Sequence, residues 1–329
     1  MGAGDRAHFV SVPPPRPSPA SGGGGSAINP PVLGEEQPTL LRLRGRAREG
    51  ALYYVKRMRI ALGLEYDGSA FCGWQTQPSG CAVQDAVDAA LSEIAAHAVQ
   101  SQCAGRTDAG VHALGQVVHF DTSADRPLSA WVRGVNTVLP KRVAVQWAHA
   151  VSDEFHARNR ATARSYAYVL LNRPERPGVQ HSRVGWYHRS LELDSMREAI
   201  EQLRGTHDFS AFRAAECQAA SPVKELRRAN IQRLGQLVLF EFTADAFLHH
   251  MVRNIVGCLV KIGDRTRPPQ WLEQVLESRD RSQAAPTFAP DGLYLTAVEY
   301  DAAWGLPAPR TRTPAELLLS AGFAASALS

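Results

Sequence analysis

Asp108 and Arg106 are the residues whose company first suggests chemistry. They stand in Cys103-Ala104-Gly105-Arg106-Thr107-Asp108-Ala109-Gly110-Val111-His112-Ala113-Leu114-Gly115-Gln116-Val117-Val118-His119-Phe120, one carboxylate and one guanidinium between two glycines. Glycine permits backbone angles closed to other residues and lets a second backbone approach closely. Loops carried on rigid strands are also where function concentrates. A lone carboxylate in such a loop can act as nucleophile or base. The same residues make an ordinary polar turn in which Thr107 and Asp108 bond to the local backbone. Composition alone favours the ordinary turn, because Asp-Gly-type turns are common.

Other chemistries find no support. The chain has no G-x-S-x-G, no H-E-x-x-H and no G-x-G-x-x-G, the signatures of a nucleophile elbow, a zinc protease and a dinucleotide site. His249 and His250 are adjacent on an expected helix from Phe247 to Ile262. That separation is about a hundred degrees, so they would not chelate together as an i, i+4 pair does. Neither a metal nor a cofactor is expected. On the same helix Met251, Ile255 and Leu259 share one face, and His250, Arg253, Asn254 and Gly257 another. The polar face reads as solvated surface or as one wall of a cleft.

The elements that must position these residues follow from periodicity. Met58, Ile60, Leu62, Leu64 and Tyr66 alternate as a half-buried strand that ends at Asp67-Gly68. Val83, Val87, Leu91 and Ile94 predict an amphipathic helix from Ala82 to Ala96. Strands are expected at Ala98 to Ala104 and at Gln116 to Phe120, then a helix holding Trp131, Val132 and Val135. A strand through Val143, Val145 and Trp147 closes the first half. Strand-helix-strand-strand-helix-strand is the ferredoxin-like order. The second half repeats it loosely. A strand at Ala161 to Leu171 carries Tyr166 and Tyr168 on one face, and a helix holds Met196, Ile200 and Leu203. Strands at Leu226–Leu234 and Leu237–Thr243, the helix of Arg253, a shorter helix at Trp271–Glu277 and a strand at Leu293–Val298 complete it. The expected fold is α+β, two ferredoxin-like α/β-sandwich subdomains whose antiparallel sheets join across a central catalytic cleft.

The domain plan is then 1–57, a Pro/Gly-rich extension; 58–160, carrying the Asp108 loop; 161–301, a second subdomain; and 302–329, a loose tail with a helical turn at Ala315–Leu319. In the extension Arg42, Arg44, Arg46 and Arg48 alternate as a solvated or RNA-touching tract, and Met58 is an alternative start of translation. With 44% hydrophobic and 21% charged residues the composition is that of a globular protein. No apolar run has the length of a bilayer-spanning helix. Five scattered cysteines without a C-x-x-C spacing suggest neither a zinc knuckle nor a redox pair, and point to a reducing cytoplasm. The net charge of +4 is only a mild lean toward polyanions.

The Cys-Ala-Gly-Arg-Thr-Asp-Ala-Gly-Val-His-Ala run, followed by Gly-Gln-Val-Val-His-Phe, resembles the signature of the TruA family of tRNA pseudouridine synthases. So does His-His-Met-Val-Arg-Asn-Ile-Val-Gly at 249–257, and the likeness extends from about Met58 to Tyr300. It implies that Asp108 is catalytic, that Arg253 pairs with it, and that Tyr166 stacks on the target base. Ser165 and Ala167 stand where relatives often carry basic residues, which puts some phosphate contacts in doubt. Arg106 is expected to fill the space of an extruded uridine or to hold its phosphate. Leu293 and Leu295 resemble an apolar wall beside the uracil, and read equally well as core. Phe212 and Arg213, with Phe209, Cys217 and Gln218, match a segment near the cleft. Arg57, Arg59, Lys141, Arg142, Arg158, Arg160 and Arg164 are expected to meet phosphate. The implied activity is isomerisation of uridines 38, 39 and 40 in the anticodon stem-loop of tRNA, without cofactor, by a cytoplasmic homodimer with one RNA spanning both subunits. The first step stays open between attack at C6, attack at C1′ and removal of a ribose proton. The alternatives are a tRNA-binding or folding module without chemistry, a pseudouridine synthase of different site specificity, and a hydrolase with an aspartate nucleophile, which would call for a second carboxylate or a metal.

Overall fold

The computed structural model describes residues 57–309 and Pro314. The Pro- and Gly-rich stretch through residue 56, with its alternating arginines, and the expected turn at Ala315–Leu319 lie outside the described residues.

The described chain enters on β1 (Met58–Tyr66). The Asp67 carboxylate accepts the Ser69 N–H at 3.0 Å and turns the backbone there. Helix α1 (Val83–Ala95) buries Val83, Val87, Ala90 and Leu91 along one stripe. Asp85 accepts the Ala82 N–H at its start, and Ala96 ends it in the left-handed region at φ 57°. Strands β2 (Gln102–Cys103) and β3 (His112–Thr122) flank the Asp108 loop. The strand expected from Ala98 is cut to two residues. Ser101 gives its N–H and hydroxyl to the Asp88 carboxylate instead of to a neighbouring strand. A π-helical turn, Ala130–Gly134, runs into α2 (Val135–Val138) and seats Trp131 in the core. β4 (Val143–Val151) follows.

Then come β5 (Ala161–Asn172), β6 (Gly185–Tyr187), α3 (Leu193–Glu201), β7 (Gly205–Asp208), β8 (Val223–Leu234) and β9 (Leu237–Ala244). Helices α4 (Met251–Gly263) and α5 (Trp271–Ser278) precede β10 (Leu293–Tyr300). At three and four residues, β6 and β7 are too short to show a period in the sequence. All ten strands join one sheet, in the order β4-β1-β3-β10-β5-β9-β8-β7, with β2 on β3 and β6 on β5. The seam between β3 and β10 is parallel and short, pairing Tyr294 with His112 and Leu295 with Ala113.

Two large clusters of buried side chains lie along this sheet. One gathers Leu62, Val87, Leu91, Val118 and Trp131; the other gathers Tyr168, Ile200, Phe240, Ile255 and Leu259. Alternation on β5 sends Tyr168 and Leu170 to the second cluster and Val169 and Leu171 to a smaller one. Each fully buried side chain of this kind contributes about 1.5–3 kcal/mol.

Two expectations need correction. Cys72 and Cys81 are joined as a disulfide, their Cα atoms 5.5 Å apart, where the spacing suggested no pair. The Cys72 N–H donates to the Cys81 carbonyl at 3.0 Å, so the Gly73–Gly80 turn brings the two side chains face to face. The loose tail also begins later than residue 302. Asp301 caps a turn at Ala302–Trp304, and the Trp304 ring meets Phe155 with centroids 5.3 Å apart.

His119 makes the fold acid-sensitive. It is almost wholly buried on β3, and its Nδ1 accepts the Ala157 N–H at 3.2 Å. Burial pushes its pKa down to about 4; His156 and Arg59 push the same way, and Asp121 opposes them. The folded state thus disfavours the proton that the unfolded chain accepts. The contribution is complete above the ordinary value near 6.5 and is lost as pH falls toward 4. Its size is roughly 3 kcal/mol. Denaturant titrations should show the native protein losing about that much more stability than His119→Gln across this window. Parallel losses would show that His119 is not the responsible group.

Candidate active site

The Asp108 loop leaves β2 and returns at the start of β3, beside the seam. Its anchors come from several elements. Thr107 Oγ1 and Tyr66 Oη are 2.8 Å apart, and the Thr107 carbonyl accepts the Trp74 N–H at 2.9 Å. Gln116, fully buried, donates to the Gly105 carbonyl at 2.7 Å. The glycines are not equivalent. Gly110 has φ +80°, where a side chain would be strained, and a Cβ there would press on Pro290 at 3.1 Å. A Cβ at Gly105 would meet only the Tyr166 hydroxyl, at an ordinary 3.8 Å.

Three side chains converge on the Asp108 carboxylate. Arg253 Nη1 donates to Oδ2 at 2.9 Å. His250 Nε2 lies 3.3 Å from Oδ2, and His249 Nε2 lies 3.1 Å from Oδ1. Arg253 is itself fixed, since its Nε donates to the Phe288 carbonyl at 2.8 Å and its own carbonyl accepts the Phe288 N–H. Burial lowers the pKa of His250 more than Asp108 raises it. The balance favours the neutral ring beside the carboxylate.

The two histidines are where the sequence reading went astray. Helix α4 starts at Met251, not Phe247, and His250 precedes it with φ 63°. The backbone there is tied by Ala214 N–H to the His249 carbonyl and by Met251 N–H to the Leu248 carbonyl. A non-glycine residue in the left-handed region is uncommon and marks a constrained position. Off the helix, the adjacent rings lie 4.0 Å apart and both reach one carboxylate. No apolar period or glycine signalled that break. Asp108, His249 and His250 hold their ligand atoms within 4.8 Å of one another, a spacing open to a metal ion. Arg253, however, already places a positive charge on Oδ2.

The remaining expected residues divide. A cleft of about 750 Å³ is lined by Asp108, Arg106, Tyr166, Arg253 and Leu293. Tyr166 stands edge-to-face on Phe247 at 5.0 Å, and its Cα pairs with that of Leu295 across β5 and β10. Burial, with Asp108 nearby, holds its phenol well above the usual range. Leu295 is itself fully buried in the first core cluster, outside the cleft lining. Phe212 is core too, and its carbonyl accepts from the buried Asn254 side chain. Asn254 and Gly257 thus do not share the cleft face with Arg253, and a Cβ on Gly257 would strike the Pro286 carbonyl. Arg213 donates to the Cys217 and Ala219 carbonyls and shapes the loop below the cleft. Arg106 Nη1 donates to Gln218 Oε1 at 3.3 Å on the rim.

Several arginines expected to meet phosphate are engaged within the protein. Arg164 is buried and donates to the carbonyls of Ala104, Arg158, Ala161 and Asp245. Arg59 pairs with Asp121, and Arg142 with Asp67.

A family model described as tRNA pseudouridine synthase matches residues 64–158 and 199–301. The tRNA pseudouridine synthase A of Thiobacillus denitrificans is 61% identical over 257 residues, 78% of this chain and 99% of that protein. The tRNA pseudouridine synthase A of Dechloromonas aromatica is 59% identical over 252 residues, 77% and 96% respectively. Among solved structures, a Cbf5–Nop10–Gar1 complex aligns with a TM-score of 0.32 at 11% identity, covering 72% of this chain and 48% of that one. The chain therefore belongs to the TruA family of tRNA pseudouridine synthases, isomerases that convert uridine to pseudouridine in tRNA.

Proposed function

We propose that this protein isomerises uridines 38, 39 and 40 of the tRNA anticodon stem-loop, with Asp108 as the catalytic residue. The observation that carries the reading is the Asp108 carboxylate, held in a cleft by Arg253, His249 and His250. Oδ2 accepts from Arg253 and has His250 beside it, whereas Oδ1 faces only the half-exposed His249. Oδ1 is thus the oxygen freed most readily for reaction when His249 swings aside. The same carboxylate serves an attack at C6, an attack at C1′ or removal of a ribose proton.

Whichever step comes first, the N1–C1′ bond breaks, the uracil turns within the cleft and a C5–C1′ bond forms. C5 gives up its proton and N1 gains one, so no oxidant or reductant is consumed. Tyr166 supplies a flat face for the turning base. Leu293 helps keep water from the intermediate. The target must leave the RNA stack to reach the cleft, and Arg106 on the rim holds the phosphate of the extruded nucleotide.

The strand orders β4-β1-β3-β2 and β10-β5-β9-β8 support reading the sheet as two ferredoxin-like halves, 58–160 and 161–301, meeting at the seam. A cytoplasmic homodimer with one RNA across both subunits is carried over from the family resemblance. No helix among the described residues is long and apolar enough to cross a membrane.

The loss of the C5 proton provides the test. Purified protein is mixed with tRNA bearing tritium at uridine C5, and label released to water is followed while the modified positions are mapped. Release with pseudouridine at 38, 39 or 40 is expected. Release with pseudouridine elsewhere would refute the site assignment, and tRNA binding without release would favour the binding-module alternative.

A further inference from the structure

Beside the catalytic cleft lies a second, polar cavity of about 350 Å³. The two share Trp74, Gln75, Arg106 and Arg158 as a common wall. We propose that this groove binds the nucleotide adjoining the target uridine, with Arg106 and Arg158 gripping the phosphodiester that links the two. The proposal rests on the function stated above and deepens it.

Charge is the first argument. The groove presents the guanidiniums of Arg106 and Arg158, and no carboxylate lines it. Among the described residues no acidic side chain pairs with Arg106 or Arg158 within salt-bridge distance. Both guanidiniums are exposed at the boundary of the two cavities. A chain whose uridine enters the cleft passes that boundary with its next phosphate.

The floor is built, not incidental. Gln84 is buried, and its Nε2 donates to the Ser101 carbonyl at 2.9 Å. Its Oε1 accepts from Gln75 Nε2 at 3.2 Å and from the Thr76 N–H at 3.3 Å. His156 Nδ1 accepts the N–H groups of Arg158 and Asn159 at 3.1 and 3.3 Å. That fixes its tautomer and leaves Nε2–H to donate. Burial lowers its pKa, so it acts as a neutral donor.

The remaining lining defines the ligand class. Gln100, Gln102 and Asn159 are exposed amides, each offering both a donor and an acceptor. An amide can turn to suit any base edge, which suits a pocket that must accept different neighbours of several targets. A volume of 350 Å³ falls at the small end of ligand sites, enough for one nucleotide and not for a stacked pair. A single-stranded flanking nucleotide, bound with little preference for base, is the ligand this chemistry fits.

The test compares an anticodon stem-loop RNA with two partners in which the nucleotide 5′ or 3′ of the target uridine is abasic, its sugar and phosphate kept. Native protein and the double variant Gln102→Ala, Asn159→Ala are each measured for dissociation constant and single-turnover rate. The native protein should bind one of the abasic RNAs about tenfold more weakly than the intact RNA, as expected for loss of base contacts. The double variant should bind that abasic RNA and the intact RNA alike. Arg158→Gln should weaken all three RNAs and reduce the slope of log affinity against log salt by about 0.7 to 1. If the native protein is indifferent to both abasic positions, or the double variant loses the same factor on every RNA, the groove does not hold that base. If the native protein forms no pseudouridine in the intact RNA, the functional reading fails first and the groove assignment falls with it.

Discussion

Asp108→Asn should cut pseudouridine formation by on the order of 10⁴-fold or more, the scale seen when a reacting group is removed from an active site. The substitution is close to isosteric. Arg253 keeps an oxygen to donate to, while the amide nitrogen turns toward a histidine. The loop itself hangs on Thr107, Gly105 and Gln116, none of which is altered. Thermal stability should therefore stay close to native, and tRNA affinity should fall no more than a few-fold. A variant that has lost turnover but folds and binds normally separates catalysis from recognition. One that retains more than a hundredth of native activity would show that the carboxylate is not essential to the reaction.

Arg253→Ala should lower turnover by about ten- to a hundredfold, the size of a lost charge-assisted hydrogen bond of about 1.5–3 kcal/mol. The loss should fall mainly on kcat, because Arg253 holds Asp108 rather than RNA. Arg253→Lys is the sharper probe. Lysine keeps the charge but lacks the fork that lets one guanidinium reach Asp108 and the Phe288 carbonyl together. It should recover only part of the activity. Equal activity in the lysine variant and the native protein would reduce the role of Arg253 to charge alone.

What the sequence disclosed depended on the distance over which each signal acts. Alternation in β1 and β5 and the apolar stripe of α1 are local, and the elements appear where periodicity puts them. Asp108 was conspicuous because its glycines and strands surround it in one short run. Arg253 lies 145 residues away, and only the family motif tied the two together. His249 and His250 were not legible as partners of Asp108, because helical spacing separates their rings, whereas the helix begins only at Met251. Leu293 and Leu295 alternate on one strand, yet the first reaches the cleft and the second is sealed beside β3. The difference arises at the β3–β10 seam, a contact between distant strands that no window of sequence contains.

The charged surface teaches a related lesson. Arginines read as a phosphate-binding set include Arg164 and Arg59, whose donors are spent on carbonyls and on Asp121. Among the described residues Arg106, Lys141, Arg158 and Arg160 form no ion pair, and of these Arg106 and Arg158 line the two cavities. Electrostatic binding should accordingly fall on these four residues rather than on every basic residue of the set.

The central claim, that Asp108 drives isomerisation in the anticodon stem-loop, is tested most directly in cells. tRNA from a strain lacking this gene is mapped for pseudouridine after complementation with the native sequence or with Asp108→Asn. Return of the modification at positions 38 to 40 with the native protein alone is the predicted result. Equal restoration by Asp108→Asn would contradict the mechanism, and restoration by neither would contradict the substrate.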